Sequence, residues 1–353
     1  MVQSYETSEP LIFSIFISLK KFTMSDMKQL VQNFSAQLKE AMEIGEKSEI
    51  RNPESEIRNI IITGLGGSGI GGTIVGEIVA NECPVPILVN KDYFLPAFVN
   101  QYSLVIVSSY SGNTEETIQA MESALKANAK IVCITSGGKI GEMGKKNNCD
   151  VITIPGGMPP RSCLGYSLTQ LFFVLNKLTL IGDSFKTELK NAIDIIEKEE
   201  LSIKKEATSI ADFLFKKIPV VYTVDGYNGV ATRFRQQINE NSKMLCWHHV
   251  LPEMNHNELV GWAGGSEELA VIILRNKTDY SRTQARIEIS KEVFSKHTSH
   301  VREVWSKGNS QLEKSIYLIH LTDWASCFLA DKKGIDAVEV DIINHLKGSL
   351  AKI

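Results

Sequence analysis

Two short loops in the first third of the chain carry residue types that bind phosphate groups. The stretch "IIITGLGGSGIGG" runs from an apolar strand into a glycine-rich turn that contains Gly67 and Ser68. The stretch "SSYSGNTEET" presents the hydroxyls of Ser109, Ser111 and Thr114 just before a predicted helix. Free backbone N–H groups, hydroxyls and the positive end of a helix dipole all favour a phosphate anion. One such loop could be explained by Ser111 or Thr114 capping the helix, but two loops after successive strands favour a shared phosphate site.

The first loop also matches a different kind of phosphate site. Gly64 to Gly69 fit G-x-G-x-x-G, the dinucleotide-binding fingerprint. That fingerprint needs an acidic residue about 20 positions later, at the end of the next strand, to bind the ribose. Here the next predicted strand, "VPILVN", ends at Asn90, and Asp92 lies too far along the chain. We therefore favour a phosphate monoester over a dinucleotide.

Both loops follow strands of a predicted parallel sheet. From Ile60 onward, short apolar strands alternate with helix-like stretches; the strands are "NIIITGLG", "VPILVN", "SLVIVSS", "KIVCITSGG" and "DVITIPGG". Continuous apolar strands separated by helices favour a parallel sheet that is covered on both faces. The carboxyl ends of such strands share one edge, so both loops are expected at the same crevice. The pattern predicts a doubly wound α/β domain over residues 50–158.

A second alternating pattern begins at "IPVVYTVDG", after a highly charged helical stretch. In it, "VVYTVDGYNGVAT" parallels "IIITGLGGSGIGG", and "VIILRNKTDYSRTQAR" parallels "VIVSSYSGNTEETIQA". We predict an α/β fold of two doubly wound, flavodoxin-like domains with parallel sheets, residues 24–190 and 191–353, plus N- and C-terminal helices. Residues 1–23 are expected to be an extension or a loose tail. Since the second copy has lost most glycines and serines, we expect it to lend side chains rather than bind phosphate.

Composition limits the classes of function. With 43% hydrophobic residues, 22% charged residues and a net charge of −3, the chain gives no support for a nucleic-acid or anionic-membrane partner. The six cysteines are scattered without a C-x-x-C pair, which favours reduced thiols and a cytoplasmic location. The apolar stretch at residues 10–22 lacks the positive flank and cleavage site of a signal peptide. No other segment approaches the ~18 apolar residues of a membrane span.

Four stretches together resemble a known family. "GLGGSGIGG", "SSYSGNTEET", "PGGMPPRSCLGYSL" and "INENSKMLCWHHVLPEMNHNELVGW" are similar to the bifunctional phosphoglucose/phosphomannose isomerases of the sugar isomerase (SIS) domain superfamily. The resemblance runs from about Met24 to the C-terminus. It implies two SIS domains and interconversion of glucose 6-phosphate with fructose 6-phosphate through an enediolate. Mannose 6-phosphate stays open as a further substrate, because the turn "GIDAVEVD" departs from the Pro- and Thr-containing turn of the family.

The resemblance implies roles for four residues. Glu240, in "INENSK", is expected to be the base that moves a proton between C1 and C2. Arg161, in "PPRSCLGYS", is expected to stabilise the charge of the enediolate. His256, in "EMNHNE", is implied in ring opening, reaching the site from the partner subunit of a homodimer. Lys347, in the last helix, matches the family's C-terminal active-site lysine. The simpler alternative for each is an exposed side chain without a function.

No cofactor and no metal are expected. His248 and His249 could be grouped with His256, but acidic or cysteine ligands at helical spacing are missing, and this isomerisation can proceed without a metal. Two other functions stay open. One is a non-catalytic sugar-phosphate-binding SIS protein, although regulators of that kind usually carry a DNA-binding helix-turn-helix, which the first 50 residues do not suggest. The other is an isomerase of another sugar phosphate.

Overall fold

The computed structural model describes residues 26–353, which form two parallel β-sheets surrounded by helices. The extension predicted for residues 1–23 lies outside the described residues. Within residues 26–353, no helix is both long and apolar enough to cross a membrane. All six cysteines are free thiols.

The first half of the described chain alternates strands and helices. Its elements are α1 (Met27–Gln32), α2 (Phe34–Lys47), β1 (Asn59–Thr63), α3 (Gly66–Ile78), β2 (Ile87–Asn90), β3 (Ser103–Ser108), α4 (Glu115–Lys126), β4 (Lys130–Thr135), α5 (Gly138–Lys146), β5 (Asp150–Thr153) and α6 (Leu164–Lys177). All strand pairs are parallel, in the order β2-β1-β3-β4-β5. This is the flavodoxin-type order with its switch point between β1 and β3, the two strands that carry the predicted phosphate loops. The predicted fold class is confirmed for this half.

The second half repeats the arrangement with one strand fewer. Its elements are α7 (Ser184–Lys198), α8 (Glu200–Leu214), β6 (Ile218–Val224), α9 (Asn228–Ser242), β7 (Trp247–Leu251), α10 (Glu258–Gly261), β8 (Leu269–Arg275), α11 (Ser281–Phe294), β9 (Val301–Trp305), α12 (Gln311–Lys333) and α13 (Asp341–Leu350). The strands are again parallel, in the order β7-β6-β8-β9. β6 and β8 therefore take the positions that β1 and β3 take in the first sheet, as the parallel stretches of sequence predicted.

A continuous core joins the two halves. Side chains along a strand alternate between the faces of a sheet. Ile60 and Ile62 of β1 accordingly face a core that also contains Val221 of β6, whereas Ile61 packs on the opposite face of its sheet. Burial on both faces explains the uninterrupted apolar strands. The predicted division between residues 190 and 191 falls inside α7, which packs against both α2 and α12; this boundary stays a prediction.

Candidate active site

Glycines hold the loop after β1 tightly against β3. A Cβ atom at Gly64 would lie 2.5 Å from the carbonyl oxygen of Ser108, and one at Gly69 would lie 2.2 Å from the carbonyl oxygen of Gly64. Gly66 has a φ of +53°, a left-handed conformation that favours glycine. In the described part of the chain, no side chain caps the N-terminus of α3. The first N–H groups of α3 are therefore available to an anion at the carboxyl edge of the sheet.

The second loop is bonded directly to the first. The N–H of Tyr110 donates to Ser68 Oγ at 3.1 Å, and the Ser109 hydroxyl donates to Thr114 Oγ1 at 3.1 Å. Thr114 is the N-cap residue of α4, but its side chain forms no capping hydrogen bond within residues 26–353. Ser111 is exposed at the rim, where its Oγ accepts the N–H of Asn113 two residues on rather than a helix N–H. The structure thus brings the predicted hydroxyl groups together, and neither Ser111 nor Thr114 is used as a helix cap.

Arg161 lies beside the glycine-rich loop and reaches towards the second sheet. A Cβ atom at Gly67 would lie 3.0 Å from the carbonyl oxygen of Pro160 and 3.3 Å from Arg161 Cα, so these backbones are in contact. The Arg161 side chain is only 6% exposed, and its Nη1 lies 3.5 Å from Glu240 Oε2. Its Nε donates to Asn241 Oδ1 at 2.8 Å. Burial lowers the pKa of Arg161, and the carboxylate of Glu240 opposes that shift; a guanidinium keeps its charge in proteins.

A second buried arginine fixes the backbone of Arg161. Arg233 on α9 donates to the carbonyl oxygen of Arg161 at 3.0 Å. It also pairs with Asp323 on α12 through two hydrogen bonds of 3.1 and 2.6 Å. A buried ion pair whose groups are hydrogen-bonded holds its neighbours in one arrangement. Sequence reasoning missed both residues, because an arginine and an aspartate 90 positions apart form no local pattern.

Glu240 and Asn241 come from the last turn of α9. Asn241 is buried, and it bonds to Arg161 through Oδ1 and to Ser326 Oγ through Nδ2 at 2.9 Å. The Glu240 side chain is 29% exposed, so its carboxylate reaches the crevice from an otherwise buried turn. Asn241, next to the predicted base, orients Arg161 through its side-chain oxygen, and no local sequence pattern indicates that role. The Glu240 carboxylate can accept and return a proton, and the Arg161 guanidinium beside it can stabilise the negative charge that forms.

His256 and Lys347 lie apart from this pair. His256 is exposed at the end of a 3₁₀ turn, Glu253–His256, that follows β7. Lys347 is exposed on α13, which has no buried residue. Within the described chain, neither side chain bonds to Glu240 or Arg161. Their predicted roles stay predictions.

The neighbouring histidines His248 and His249 are bonded to protein groups on opposite faces of β7. His248 Nε2 lies 2.9 Å from Thr232 Oγ1, and burial lowers the pKa of His248 to about 4, so this ring is neutral at pH 7. His249 Nδ1 lies 2.9 Å from Glu258 Oε2, and Glu258 also accepts the hydroxyl of Tyr222. Between residues 26 and 353, no group of three or more His, Cys, Asp or Glu side chains is arranged to hold a metal ion.

Known proteins resemble this chain over almost its whole length. Residues 203–350 match the family model described as the bacterial phospho-glucose isomerase C-terminal SIS domain. A bifunctional phosphoglucose/phosphomannose isomerase of Caldicellulosiruptor bescii is 39% identical over 337 residues, covering 93% of this chain and 99% of that protein. Its counterpart in Aquifex aeolicus is 35% identical over 332 residues, with the same coverage of 93% and 99%.

A solved structure shares the fold at much lower identity. The C-terminal domain of glucosamine-fructose-6-phosphate aminotransferase from Francisella tularensis superposes with a TM-score of 0.73 at 13% identity, over 89% of this chain and 98% of that one. The fold is thus common to several phosphosugar proteins, and the higher identities to the two isomerases carry the narrower assignment. With both sheets and both loops included in that similarity, this chain belongs to the bifunctional phosphoglucose/phosphomannose isomerase family.

Proposed function

We propose that this protein is an aldose–ketose isomerase that interconverts glucose 6-phosphate, and mannose 6-phosphate, with fructose 6-phosphate. The observation that carries the proposal is the Arg161–Glu240 pair, 3.5 Å apart beside the Gly67–Ser68 loop. A base next to a fixed cation is what proton transfer through an enediolate requires. The names of the relatives support these sugar phosphates as substrates.

The phosphate group binds at the carboxyl edge of the first sheet. Ser68 and Ser109 form the floor of this site, because the Ser68 N–H bonds to the carbonyl oxygen of Leu65 and the Ser109 hydroxyl bonds to Thr114 Oγ1. The phosphate oxygens accept the N–H of Gly67 and the hydroxyls of Ser111 and Thr114. Because these donors belong to two loops that are hydrogen-bonded to each other, the cradle is formed before substrate arrives. The sugar carbon chain then extends from the phosphate towards the second sheet, where Glu240 and Arg161 meet.

The proton transfer follows from the positions of the two charged groups. In the open-chain aldose, the Glu240 carboxylate removes the proton from C2, and the electron pair of that C–H bond forms the C1–C2 double bond of an enediolate. Arg161 stabilises the negative charge on the enediolate oxygen. Glu240 then returns the proton to C1, the hydrogen of the C2 hydroxyl moves to the C1 oxygen, and fructose 6-phosphate results. No redox cofactor is consumed in this sequence.

The same proposal includes a homodimer in which His256 assists ring opening in the partner's site and Lys347 joins the sugar site. Three exposed apolar side chains within eleven positions of His256 along the chain support it: Leu245 is 87% exposed, Val260 is 78% exposed, and Trp247 is 40% exposed. Exposed apolar side chains are common at protein interfaces. β7, on which Trp247 lies, is moreover an edge strand of its sheet.

Mixed dimers test whether His256 acts across the interface. E240Q and H256A subunits, each inactive alone, are unfolded together, refolded and assayed. If His256 acts in the partner's site, each mixed dimer has one site with both residues intact, so about a quarter of wild-type activity returns at equal mixing. If His256 acts within its own subunit, no activity returns. Mixing E240Q with R161K is the control, because both residues belong to one site and every site then lacks one of them.

Isotope exchange tests the reaction itself. Wild-type enzyme is incubated in deuterated water with each hexose 6-phosphate, and deuterium at C1 of fructose 6-phosphate and at C2 of glucose 6-phosphate is followed by NMR. We expect incorporation together with turnover in a coupled assay. Tight binding of fructose 6-phosphate without exchange would instead favour a non-catalytic sugar-phosphate-binding protein. Parallel kcat/KM values for glucose, mannose, arabinose and glucosamine phosphates identify the preferred substrate.

We further propose a cytoplasmic enzyme of glycolysis and gluconeogenesis, organised as domains at residues 24–190 and 191–353. Free thiols at all six cysteines support a reducing compartment. The two sheets support two domains, although they share a core.

A further inference from the structure

Two cations near the proposed site hold a short segment between α12 and α13. We refer to residues 336–339 as the strap. Arg161 Nη2 donates to the two middle carbonyl oxygens of the strap, at 2.5 and 3.1 Å. Lys243 Nζ donates to the first and the last carbonyl oxygens, at 3.1 and 2.7 Å. All four successive carbonyl oxygens of the strap are therefore bound by one of these two side chains.

Lys243 also binds the end of the helix that carries the proposed base. Its Nζ donates to the carbonyl oxygen of Glu240 at 2.6 Å, so the three donors of the ammonium are directed at three carbonyl oxygens. Lys243 is the C-cap residue of α9 with a φ of +50°, a left-handed conformation that is uncommon for residues other than glycine. A glycine would adopt this conformation more easily but could not bind the strap. Lys243 therefore combines a left-handed backbone conformation, which lysine rarely adopts, with a long cationic side chain that reaches the strap.

The strap in turn determines the orientation of Arg161. The guanidinium is planar and donates in fixed directions. Its Nε bonds to Asn241, its Nη2 bonds to the strap, and its Nη1 faces Glu240. The hydrogen bonds from Arg161 to the strap end on carbonyl oxygens, which carry no net charge, and these bonds fix the plane of the guanidinium. A displaced strap would rotate that plane and change the separation of Arg161 from Glu240.

We infer that Lys243 is a positioning residue for the isomerisation, which holds the strap on the end of α9 and thereby aligns Arg161 with Glu240. This inference rests on the proposed function for its kinetic consequence. It assigns Lys243 no contact with the substrate. The hydrogen bonds that join the two loops of the phosphate cradle do not include the strap, so we expect Lys243 to affect the chemical step more than phosphate binding.

Lys333 provides a matched control for the experiment. Its Nζ donates to the carbonyl oxygens of Ser242 and Lys243, at 2.8 and 3.1 Å, so it caps the same helix end without touching the strap. We expect K243M to lower kcat about ten- to a hundredfold while KM changes less than about twofold, since a small misalignment of reacting groups is costly. K333M should keep kcat within about threefold of wild type under the same reasoning. Equal kcat values for the two variants, or a change confined to KM, would overturn the inference.

Two further measurements separate this inference from the proposed function. Amide hydrogen exchange in peptides that contain the strap should be faster in K243M than in K333M. Equal exchange rates would show that Lys243 does not hold the strap, whether or not the wild type isomerises sugars. Wild-type inactivity would overturn the proposed function alone. In an R161K background, K243M should lower kcat by less than about twofold, because Lys243 acts through Arg161. If K243M lowered kcat in the R161K background by the same factor as in the wild type, Lys243 would not act through Arg161.

Discussion

The two sheets have the same topology, but their central strands lead into helices with different N-termini. After β1, α3 begins at Gly66 without a capping side chain in the described part of the chain. β6 takes the same position in the second sheet, and there a side chain of the protein already binds an N–H group in the first turn of α9. The carboxylate of Glu77, from α3, accepts the N–H of Gly229 at 3.1 and 3.0 Å. The protein's own carboxyl group thus fills the place in the second sheet that a phosphate takes in the proposed site.

The next strands differ in the same way. In the parallel stretches, Ser109 after β3 corresponds to Arg275 at the end of β8. The Arg275 guanidinium bonds to Glu288 at 2.9 Å and to Glu303, and it lies 4.6 Å from the centre of the Trp305 ring. Two of the protein's own carboxylates therefore pair with the guanidinium at this edge. One topology therefore gives an edge that is open to a ligand and an edge that is closed by its own side chains.

This difference implies a division of tasks between the sheets. In the proposed function, the first edge binds the phosphate, whereas the second half contributes Glu240 from the far end of α9 and His256 from beyond β7. Variants in the two regions should therefore change different kinetic constants. Loss of the base changes the chemical step, and loss of a cradle hydroxyl changes substrate binding.

Removal of the proposed base should have the largest effect. In Glu240→Gln the amide cannot accept the C2 proton, while the side chain keeps its size. We expect kcat to fall about 10²- to 10⁴-fold, the usual contribution of a general base. KM for glucose 6-phosphate should change little, because the cradle is intact. The coupled assay and the rate of C2 deuterium exchange should fall in parallel, and unchanged turnover would contradict the role of Glu240.

Variants of the phosphate cradle should have a smaller effect, and on KM. Ser111→Ala and Thr114→Val each remove a hydroxyl that would bond to a charged phosphate, worth about 1.5–3 kcal/mol, so KM should rise about ten- to a hundredfold. The inhibition constant of inorganic phosphate should rise with it, while kcat changes less. Steady-state kinetics with phosphate as competitor measure both constants.

The second sheet supplies the controls for this prediction. Lys277 and Tyr280 correspond to Ser111 and Thr114 in the parallel stretches. Lys277→Ala and Tyr280→Phe should leave KM and the phosphate inhibition constant at wild-type values. If these variants weakened phosphate binding as much as the cradle variants do, the proposed difference between the two edges would be wrong.

The sequence predicted the features that depend on neighbouring residues. Apolar strands buried on both faces, and glycines and serines at strand ends, leave short patterns, so the two parallel, doubly wound sheets were predicted correctly. Contacts between distant segments leave no such pattern. Arg161 binds the carbonyl oxygen of Ala337, 176 positions later, and no residue type is required at a position that offers only its backbone. The strap, Asn241 and the Arg233–Asp323 pair therefore became apparent only in the structure.

An effect confined to stability, with none on turnover, is expected for the carboxyl group that closes the second edge. Burial raises the pKa of Glu77 from 4.5 to about 7, although the N–H groups of Gly229 and Asn228 and the charge of Lys91 lower it. Between about pH 4.5 and pH 7, Glu77 of the folded protein retains a proton that it has lost in the unfolded chain. The free energy of unfolding therefore falls as the pH rises through this window, by about 3 kcal/mol in total, and levels off above pH 7.

Glu77→Gln removes this titration, because the amide oxygen can still accept the N–H of Gly229 and carries no charge. Denaturant unfolding at pH 5 and pH 8 should give E77Q a stability close to wild type at pH 5 and above it at pH 8, with kcat unchanged because the first edge is untouched. E82Q is the control, since it removes an exposed carboxylate that also accepts a backbone N–H, that of Gly182 at 2.5 Å. If wild type and E77Q lost stability equally between the two pH values, Glu77 would not be the anion that titrates at this helix end.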